Sequence, residues 1–291
     1  MDIGFIGLGR MGSAMARNLA GAPHAVTGFD SAGTTVDGVQ VASSPAEAAE
    51  GRDVIITMLP NATAVREVRE QCFATARRNA LFIDCSTLDV ASAVALAGEA
   101  EAAGHMAIDA PVSGGVAAAA AGTLTFMAGG APEALARAAP IFELLGARTV
   151  ACGGPGSGQA AKLCNNMILG VSMIAVCEAF DLADRLGLDR QALFDVVARS
   201  SGSCWALTAY CPAPGVGPAS PADNGYRPGF PATLMLKDLR LARQSADAVG
   251  AETPLGAEAA RLYEAFVSED VEIRDFSAIL PWLAERGRGP A

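Results

Sequence analysis

Short apolar runs alternate with segments of helical periodicity over the first half of the chain. The apolar runs occupy residues 3–6, 25–30, 54–58, 81–85, 106–109, 124–128 and 148–151. The helical segments between them occupy residues 11–19, 45–50, 62–70, 90–103 and 132–144. Continuous apolar strands separated by helices are typical of a parallel sheet that helices cover on both faces. The pattern therefore predicts an α/β domain with a doubly wound sheet over residues 1–157.

The pattern changes to helix alone after the Gly-Gly-Pro-Gly segment at residues 153–156. Residues 158–186 contain no proline and one interior glycine, Gly170, before Gly187 offers a stop. Apolar residues cover most faces of this segment between Met167 and Cys177, so we expect a buried helix. Further helical segments follow at residues 190–200, 233–249 and 255–267, without a convincing strand. The sequence thus predicts an all-α C-terminal domain over residues 158–291, whose first long helix forms the domain junction.

A long connection rich in proline and glycine occupies residues 203–231. Connections of this length in compact proteins are usually functional or disordered. This one contains four aromatic residues, Trp205, Tyr210, Tyr226 and Phe230, which favour an ordered segment.

Composition and charge exclude several classes of protein. The 291 residues correspond to about two domains of ~150 residues each. With 21 Lys and Arg against 31 Asp and Glu, the net charge of −10 is unsuited to nucleic acid or an anionic membrane surface, both of which need a basic face. Because 51% of the residues are apolar, large cores or a subunit interface must bury them, and we expect a homodimer or homotetramer.

Neither a membrane span nor a metal site is indicated. The uncharged stretches at residues 110–132 and 163–177 are interrupted by proline and glycines or by two asparagines, and spanning needs ~20 continuous apolar residues. The N-terminus lacks the basic region of a secretion signal. The seven cysteines form no C-x-x-C pair, and the two histidines are far apart in sequence. We therefore expect reduced thiols, a cytoplasmic protein and no metal.

A dinucleotide-binding turn is indicated by the sequence Gly7-Leu8-Gly9-Arg10-Met11-Gly12. The G-x-G-x-x-G spacing alone is weak in a chain with 32 glycines, but here it follows a predicted strand and opens a predicted helix. Gly7 permits the tight turn, Gly9 lets the backbone approach a pyrophosphate, and Gly12 lets the helix pack against the strand. The helix N-terminus then offers N–H groups to the phosphates.

Asp30 ends the next predicted strand, 18 residues after Gly12. A carboxylate at this place can accept hydrogen bonds from both hydroxyls of the adenosine ribose, and it would repel a 2′-phosphate. No arginine follows to receive such a phosphate. The sequence therefore favours NAD over NADP as the cofactor.

Four further segments carry candidate chemistry, at residues 84–87, 109–115, 158–166 and 237–239. Lys162 and Asn166 are four residues apart, so they share one face of the predicted long helix. Lys162 lies where the apolar part of that helix begins, a place where an ammonium group could be partly desolvated. The sequence Ser113-Gly114-Gly115 presents a hydroxyl and two unhindered N–H groups, which suits a carboxylate. Thr87 ends a strand at the ligand edge of the predicted sheet.

Together these segments closely resemble the β-hydroxyacid dehydrogenase family over essentially the whole chain. Within it the 3-hydroxyisobutyrate dehydrogenases are nearest, because of residues 200–205 and the proline-rich stretch at residues 212–226. The resemblance implies an N-terminal Rossmann domain followed by an all-helical domain. It also implies that Lys162 is catalytic and that Ser113, Gly114 and Gly115 hold the substrate carboxylate with the help of Asn166.

The same resemblance implies the lining of the NAD groove. Leu59, Pro60 and Thr87 would line it, and Lys237 would lie at the cofactor and the active site. Oxidation of a primary alcohol needs a base for the hydroxyl proton and a hydride acceptor, and neither histidine lies in a motif. A lysine can serve as the base where burial and nearby positive charge lower its pKa. Lys237 and the cationic nicotinamide are the candidate neighbours of Lys162.

The activity implied by the resemblance is the NAD-dependent oxidation of (S)-3-hydroxyisobutyrate to methylmalonate semialdehyde, a step of valine catabolism. The alternative within enzymes is a reductase of another small semialdehyde, such as tartronate or succinate semialdehyde. A 6-phosphogluconate enzyme is disfavoured, since the chain is short and no arginine cluster for a phosphate is visible. A noncatalytic dinucleotide sensor or an imine-reducing relative would not need Lys162.

Overall fold

The computed structural model of the protein describes residues 1–269 and 274–286. The chain divides into two compact units, Met1–Lys162 and Leu163–Ala291. The domain boundary after residue 157 that the sequence suggests stays a prediction.

The first unit alternates strands and helices. Its elements are β1 (Asp2–Ile6), α1 (Arg10–Ala20), β2 (Ala25–Phe29), β3 (Gln40–Val41), α2 (Pro45–Ala49), β4 (Val54–Thr57), α3 (Ala62–Phe73), β5 (Leu81–Asp84), α4 (Val90–Ala102), β6 (Met106–Asp109), β7 (Val112–Ser113), α5 (Gly115–Ala121), β8 (Leu124–Gly130), α6 (Pro132–Leu145) and β9 (Gly146–Gly153). They form one sheet in the order β3-β2-β1-β4-β5-β6-β8-β7, and β9 pairs with β8. The strands from β3 to β6 are parallel, which confirms the Rossmann-type sheet.

Helices cover both faces of this sheet, as the continuous apolar runs predict. Successive residues of a strand point to opposite faces. In β4, Val54 and Ile56 belong to one core cluster and Ile55 belongs to another. In β5, Leu81 and Ile83 belong to the first of these clusters and Phe82 belongs to the second. A strand buried on both faces therefore needs an unbroken apolar sequence rather than an alternating one.

One end of the sheet departs from the prediction. Strand β8 runs antiparallel to both β6 and β7, so the sheet is mixed rather than parallel throughout. Strand β9 pairs with β8 alone among the described strands, and most of its residues are exposed, including Val150. Residues 148–151 therefore form a strand, as predicted, but this strand lies at the sheet edge and is largely exposed.

The second unit is helical, which confirms the predicted fold class. Its elements are α7 (Ser157–Leu186, which begins in the first unit), α8 (Arg190–Val197), α9 (Trp205–Thr208), α10 (Ala232–Val249), α11 (Pro254–Glu269), α12 (Ile279–Arg286) and two 3₁₀ turns (Pro221–Asn224 and Phe276–Ala278). In residues 163–269 and 274–286, the β pairing consists of one isolated bridge between Pro231 and Asp275. Large buried side chains form the core: Met173, Phe180, Met235, Tyr263, Phe266 and Phe276.

Helix α7 is largely buried between Met167 and Cys177, as its sequence predicts, but it also has an exposed face. Ile168 is 64% exposed, Leu182 58% and Leu186 74%, so one face of this helix lies in solvent. The helix is long and apolar enough to cross a membrane by length and composition alone, a test that the core helices of soluble proteins also pass. Met173, Cys177 and Phe180 on its other side belong to the core of the second unit.

The proline-rich segment at residues 203–231 is ordered, as its aromatic residues predict. The Trp205 and Tyr210 rings stack with centroids 5.0 Å apart. The Tyr210 hydroxyl donates to Asp275 Oδ2 at 2.8 Å, and the Gly229 and Phe230 N–H groups donate to the same oxygen. Asp275 is completely buried, so this carboxylate holds both ends of the segment.

Candidate active site

The glycine turn after β1 has the geometry that its sequence predicts. Gly7 has φ +96°, and a Cβ there would collide with the Met58 carbonyl oxygen. A Cβ at Gly12 would collide with the Gly7 carbonyl oxygen, so α1 packs directly on the turn. At Gly9, the N-cap of α1, no atom lies within 4 Å of the Cβ position. This open position in front of a helix N-terminus fits a dinucleotide pyrophosphate.

Asp30 is joined to this turn by hydrogen bonds. Its Oδ2 accepts from the Leu8 N–H at 2.7 Å, and its Oδ1 accepts from the Ala32 N–H at 2.8 Å. The carboxylate therefore lies beside the glycine turn at the end of β2, where the ribose hydroxyls of a bound dinucleotide would be recognised. Residues 7–12 and Asp30 together fit NAD.

Polar side chains end three neighbouring parallel strands. Thr57 of β4, Asp84 of β5 and Asp109 of β6 are in register across the sheet, and all three are buried. The Thr57 hydroxyl donates to Asp84 Oδ1 at 2.8 Å. Burial raises the pKa of Asp84, and the buried Arg69 guanidinium from α3 opposes this rise. The carboxyl ends of parallel strands are where α/β sheets bind ligands, so this polar row underlies the candidate site.

The loops after β4 and β5 are joined through Ser86. Its hydroxyl donates to Asp84 Oδ1 at 2.7 Å and accepts from the Leu59 N–H at 2.8 Å. Leu59 precedes Pro60, and Ser86 precedes Thr87, so the predicted groove residues of the two loops share one buried anchor. This fixes the two loops relative to each other.

The amino end of α7 is attached to the same sheet edge. Asp109 Oδ1 accepts from the Gly156 N–H at 2.7 Å, and its Oδ2 accepts from the Gln159 N–H at 2.9 Å. Burial raises the pKa of Asp109 to about 6, although these two N–H groups favour its charged form. Asp109 thus serves as the buried anion that satisfies the first N–H groups of α7.

The Ser113-Gly114-Gly115 turn has the backbone that a carboxylate cradle needs. Gly114 has φ +128° and Gly115 has φ +68°, conformations that favour glycine. A Cβ at Gly114 would lie 2.5 Å from the Ala118 Cβ, whereas at Gly115 no atom lies within 4 Å. Ser113 ends β7 and is partly buried. The open backbone at Gly115 therefore leaves room for a ligand.

Lys162 lies in the second turn of α7 and is 8% exposed. Asn166, one turn further along the same helix, belongs to the second unit and is almost fully buried. Its Nδ2 donates to Asp238 Oδ2 at 2.5 Å, and Lys237 Nζ lies 3.7 Å from Asp238 Oδ1. In the second unit, Asn166, Lys237 and Asp238 therefore form one group.

The structure adds residues to which the sequence assigns no role. They are Asp84, Ser86, Asp109, Gln159 and Asp238, all buried polar side chains. Each lies within a segment that the sequence singles out, yet polarity alone does not show which residues bond to each other. Among the described residues, no group of three or more His, Cys, Asp or Glu side chains could hold a metal ion.

Comparisons with known proteins cover nearly the whole chain. The family model of the NAD-binding domain of 6-phosphogluconate dehydrogenase matches residues 2–154. The family model described as the NAD-binding of NADP-dependent 3-hydroxyisobutyrate dehydrogenase matches residues 156–283. The two models meet at residues 154–156, where the strand–helix alternation of the sequence gives way to helices alone.

Individual relatives agree with these models. A probable 3-hydroxyisobutyrate dehydrogenase of Mycobacterium tuberculosis is 48% identical over 98% of both chains. The 3-hydroxyisobutyrate dehydrogenase of Pseudomonas aeruginosa is 45% identical over 96% of this chain and 97% of its own. The solved structure of the M. tuberculosis 3-hydroxyisobutyrate dehydrogenase with L-serine has a TM-score of 0.93 at 48% identity, and covers 97% of this chain and 98% of its own. Sequence and fold are therefore similar over nearly the whole chain.

Proposed function

This chain belongs to the 3-hydroxyisobutyrate dehydrogenase family of NAD-dependent dehydrogenases, and we propose that it oxidises 3-hydroxyisobutyrate to methylmalonate semialdehyde, a step of valine catabolism. The observation that carries this proposal is the buried Lys162 at the start of α7, in the unit that also contains the dinucleotide turn. A buried amine that can change its protonation state suits the proton transfer of this reaction.

The substrate carboxylate would be held by the Ser113 hydroxyl and the backbone N–H groups of Gly114 and Gly115, with Asn166 helping to orient the molecule. The glycine conformations and the open space at Gly115 support this assignment. The solved structure of the M. tuberculosis relative is with L-serine, which has a carboxylate and a 3-hydroxyl group, as 3-hydroxyisobutyrate does. A small 3-hydroxyacid therefore fits as the substrate class.

Lys162 would act as the general base in alcohol oxidation. Its neutral amine takes the hydroxyl proton as the C–O bond becomes a carbonyl. Bound NAD supplies the acceptor for the hydride that leaves the same carbon. In the reverse direction the Lys162 ammonium donates its proton to the aldehyde oxygen. In this mechanism Lys162 alone accepts the proton in oxidation and donates it in reduction.

The cofactor would lie along residues 7–12, Asp30, Leu59, Pro60, Thr87 and Lys237. The backbone at Gly9 and the carboxylate of Asp30 fit a pyrophosphate and a ribose without a 2′-phosphate. The Ser86 hydroxyl accepts from the Leu59 N–H and so joins the loops that carry Leu59 and Thr87, which supports their assignment to one groove. Lys237, on helix α10, is assigned to the cofactor by the family resemblance.

We further propose a cytoplasmic location and a homo-oligomer. All seven cysteines are unpaired, and Cys72, Cys85, Cys177 and Cys211 are buried, as expected where thiols stay reduced. The exposed apolar side chains of α7 support association with a second copy.

A substrate panel tests the activity. Purified protein with NAD should produce NADH fastest with 3-hydroxyisobutyrate, compared with 3-hydroxypropionate, L-serine and 4-hydroxybutyrate. In the reverse direction, methylmalonate semialdehyde should be reduced faster than tartronate or succinate semialdehyde. Preference for either of those two semialdehydes would instead identify the protein as a reductase of that compound.

A further inference from the structure

Gln159 is a buried amide that the proposed mechanism does not use. It lies in the first turn of α7 and is 0% exposed. Its Oε1 accepts from the Leu88 N–H at 3.0 Å, and its Nε2 donates to the Ser86 carbonyl at 2.7 Å. Both ends of the side chain are therefore bonded to backbone, and the two backbone partners flank Thr87.

The loop that Gln159 holds is itself fixed to the sheet. Ser86 donates through its hydroxyl to Asp84 at the end of β5 and accepts from the Leu59 N–H after β4. The Gln159 N–H in turn donates to Asp109 at the end of β6. The first turn of α7 is thus attached to the carboxyl ends of three successive parallel strands.

Lys162 is three residues beyond Gln159, on the adjoining turn of the same helix. A helix turn whose backbone is fixed also fixes the Cα of the side chain that follows. A displacement of about 1 Å at a reacting group can reduce a rate by ~100-fold. Gln159 therefore lies in the helix turn that is bonded to the loop at Thr87 and that directly precedes Lys162.

We propose that Gln159 is a positioning residue, which sets the place of Lys162 relative to the cofactor loop at Thr87 by bonding the backbone on both sides of that threonine. The proposal rests on the proposed function, in which Lys162 exchanges the substrate proton. The side chain touches neither the substrate nor the reacting atoms. Its effect should consequently appear in kcat rather than in binding.

Two variants test this role. Gln159→Leu keeps the approximate volume and removes both side-chain hydrogen bonds. We expect kcat to fall about 10- to 100-fold, while KM for the hydroxyacid and the NADH dissociation constant, measured by fluorescence, change less than about threefold. Hydrogen exchange at the Leu88 amide should accelerate, since it loses its acceptor. This readout is independent of activity.

The second variant, Gln159→Glu, tests the direction of the bonds. A neutral glutamic acid can donate to the Ser86 carbonyl and accept from the Leu88 N–H, whereas a carboxylate cannot donate. The ratio of variant to wild-type kcat in aldehyde reduction should therefore rise as pH falls. The charged groups on the surrounding strands and on α3 are Asp109, Asp84 and Arg69, and the two carboxylates favour the protonated form of the introduced carboxyl. This variant also carries the test if Gln159→Leu does not fold.

Ser157→Ala is the matched control. The Ser157 hydroxyl donates to the Gly154 carbonyl at 2.6 Å, so this change removes a hydrogen bond from the same helix turn but keeps the bonds of that turn to Asp109 and to the loop at Ser86. It should keep kcat within about twofold of wild type. A loss equal to that of Gln159→Leu would show that any loosening of the turn suffices, and would overturn the specific role of Gln159.

Lys162→Ala, measured in parallel, separates this proposal from the proposed function. If Lys162→Ala is inactive and Gln159→Leu keeps wild-type kcat despite faster exchange at Leu88, the positioning role is overturned and the lysine mechanism stands. If Lys162→Ala keeps wild-type turnover, the lysine mechanism itself fails. Unchanged exchange at Leu88 in Gln159→Leu would also overturn the positioning role.

Discussion

The residue proposed as the proton carrier is a lysine in a chain that uses arginine almost everywhere else. Lys162 and Lys237 are the two lysines of the sequence, and both lie in segments assigned to the candidate site. An arginine stays charged at every pH that the enzyme meets, whereas a lysine amine can lose its proton when desolvated. In the proposed mechanism, the two lysines stand where a proton or a compact charge is needed.

Replacement of Lys162 should abolish turnover without abolishing cofactor binding. General acid–base groups contribute ~10²–10⁴-fold, so Lys162→Ala should lose at least about 100-fold in kcat. Lys162→Arg should fail as well, because a guanidinium keeps its proton. Both variants should still bind NADH, as measured by fluorescence. The rate of alcohol oxidation should rise with pH, and the rate of aldehyde reduction should be favoured at lower pH.

Measurement of kcat/KM against pH in both directions checks these expectations. Parallel pH profiles for oxidation and reduction would contradict proton exchange by a single amine. Wild-type turnover in Lys162→Ala would end the mechanism.

Asp30 should set the preference for NAD over NADP. Repulsion of the 2′-phosphate and loss of hydrogen bonds to the ribose should favour NAD by about 2 kcal/mol or more, roughly 30-fold in kcat/KM. Asp30→Asn should lower the ratio of kcat/KM with NAD to kcat/KM with NADP, because it removes the charge but keeps an acceptor for the Leu8 N–H. The measurement is kcat/KM with each cofactor at fixed salt. Equal values for NAD and NADP in the wild-type protein would contradict this role.

Ser113 should contribute to binding of the substrate and not to binding of the cofactor. A hydrogen bond to a charged group contributes about 1.5–3 kcal/mol, so Ser113→Ala should lower kcat/KM about 10- to 100-fold, mainly by raising KM. NADH affinity should stay within about twofold. If NADH affinity falls while KM is unchanged, the Ser113 turn belongs to the cofactor and not to the carboxylate.

At the scale of elements, the apolar runs were sufficient to predict the strands that pack on both faces. Strands such as β4 and β5 have no polar residue except at their ends, which is visible in the sequence. The two-residue strands β3 and β7 and the short helix α5 have too few residues for any periodicity. The antiparallel direction of β8 depends on the path of the chain after β6, which no local pattern encodes.

The candidate site likewise contains residues that local sequence patterns indicate and contacts that they do not. The glycine turn and Asp30 can be selected as candidates because each lies in a local motif with a defined spacing, whereas the catalytic role predicted for Lys162 comes from the family resemblance. The hydrogen bonds of Gln159 to the loop at Ser86 join residues 73 positions apart in sequence. Spacing cannot reveal such a pair, because the contact exists only once β5 and α7 have packed together.

The attachment of α7 to β6 should depend on pH through Asp109. Burial raises the pKa of this carboxyl to about 6, above the ~3.9 of an ordinary aspartate. The folded state therefore binds the proton more tightly than the unfolded state does. Stability contributed by Asp109 is full below about pH 4 and falls as pH rises to about 6, by about 3 kcal/mol.

Asp109→Asn has no group to titrate at this position. The free energy of unfolding of wild type minus that of the variant should therefore decrease between about pH 4.5 and 6, and stay constant above about pH 7. Urea unfolding over this range measures it, and Ser157→Ala should keep the wild-type pH dependence. A difference that is the same at both ends of the range would contradict the raised pKa.

At the scale of the whole molecule, one face of α7 presents an apolar stripe to solvent. Its exposed members are Ile168, Ala175, Ala179, Leu182 and Leu186. At 100° per residue these positions lie within about 40° of one line along the helix. A continuous apolar stripe of this kind on a soluble surface usually marks an interface, and pairing of the same helix from a second copy would bury it on both sides.

We therefore expect the protein to be a homo-oligomer that uses this stripe. Light scattering should give at least twice the 29.5 kDa mass of one chain. Leu182→Asp places an unpaired carboxylate in the stripe, so it should shift the mass toward a single chain. Val249→Asp, at a more exposed apolar position at the end of α10, should leave the mass unchanged. A single-chain mass for the wild-type protein would contradict self-association through this stripe.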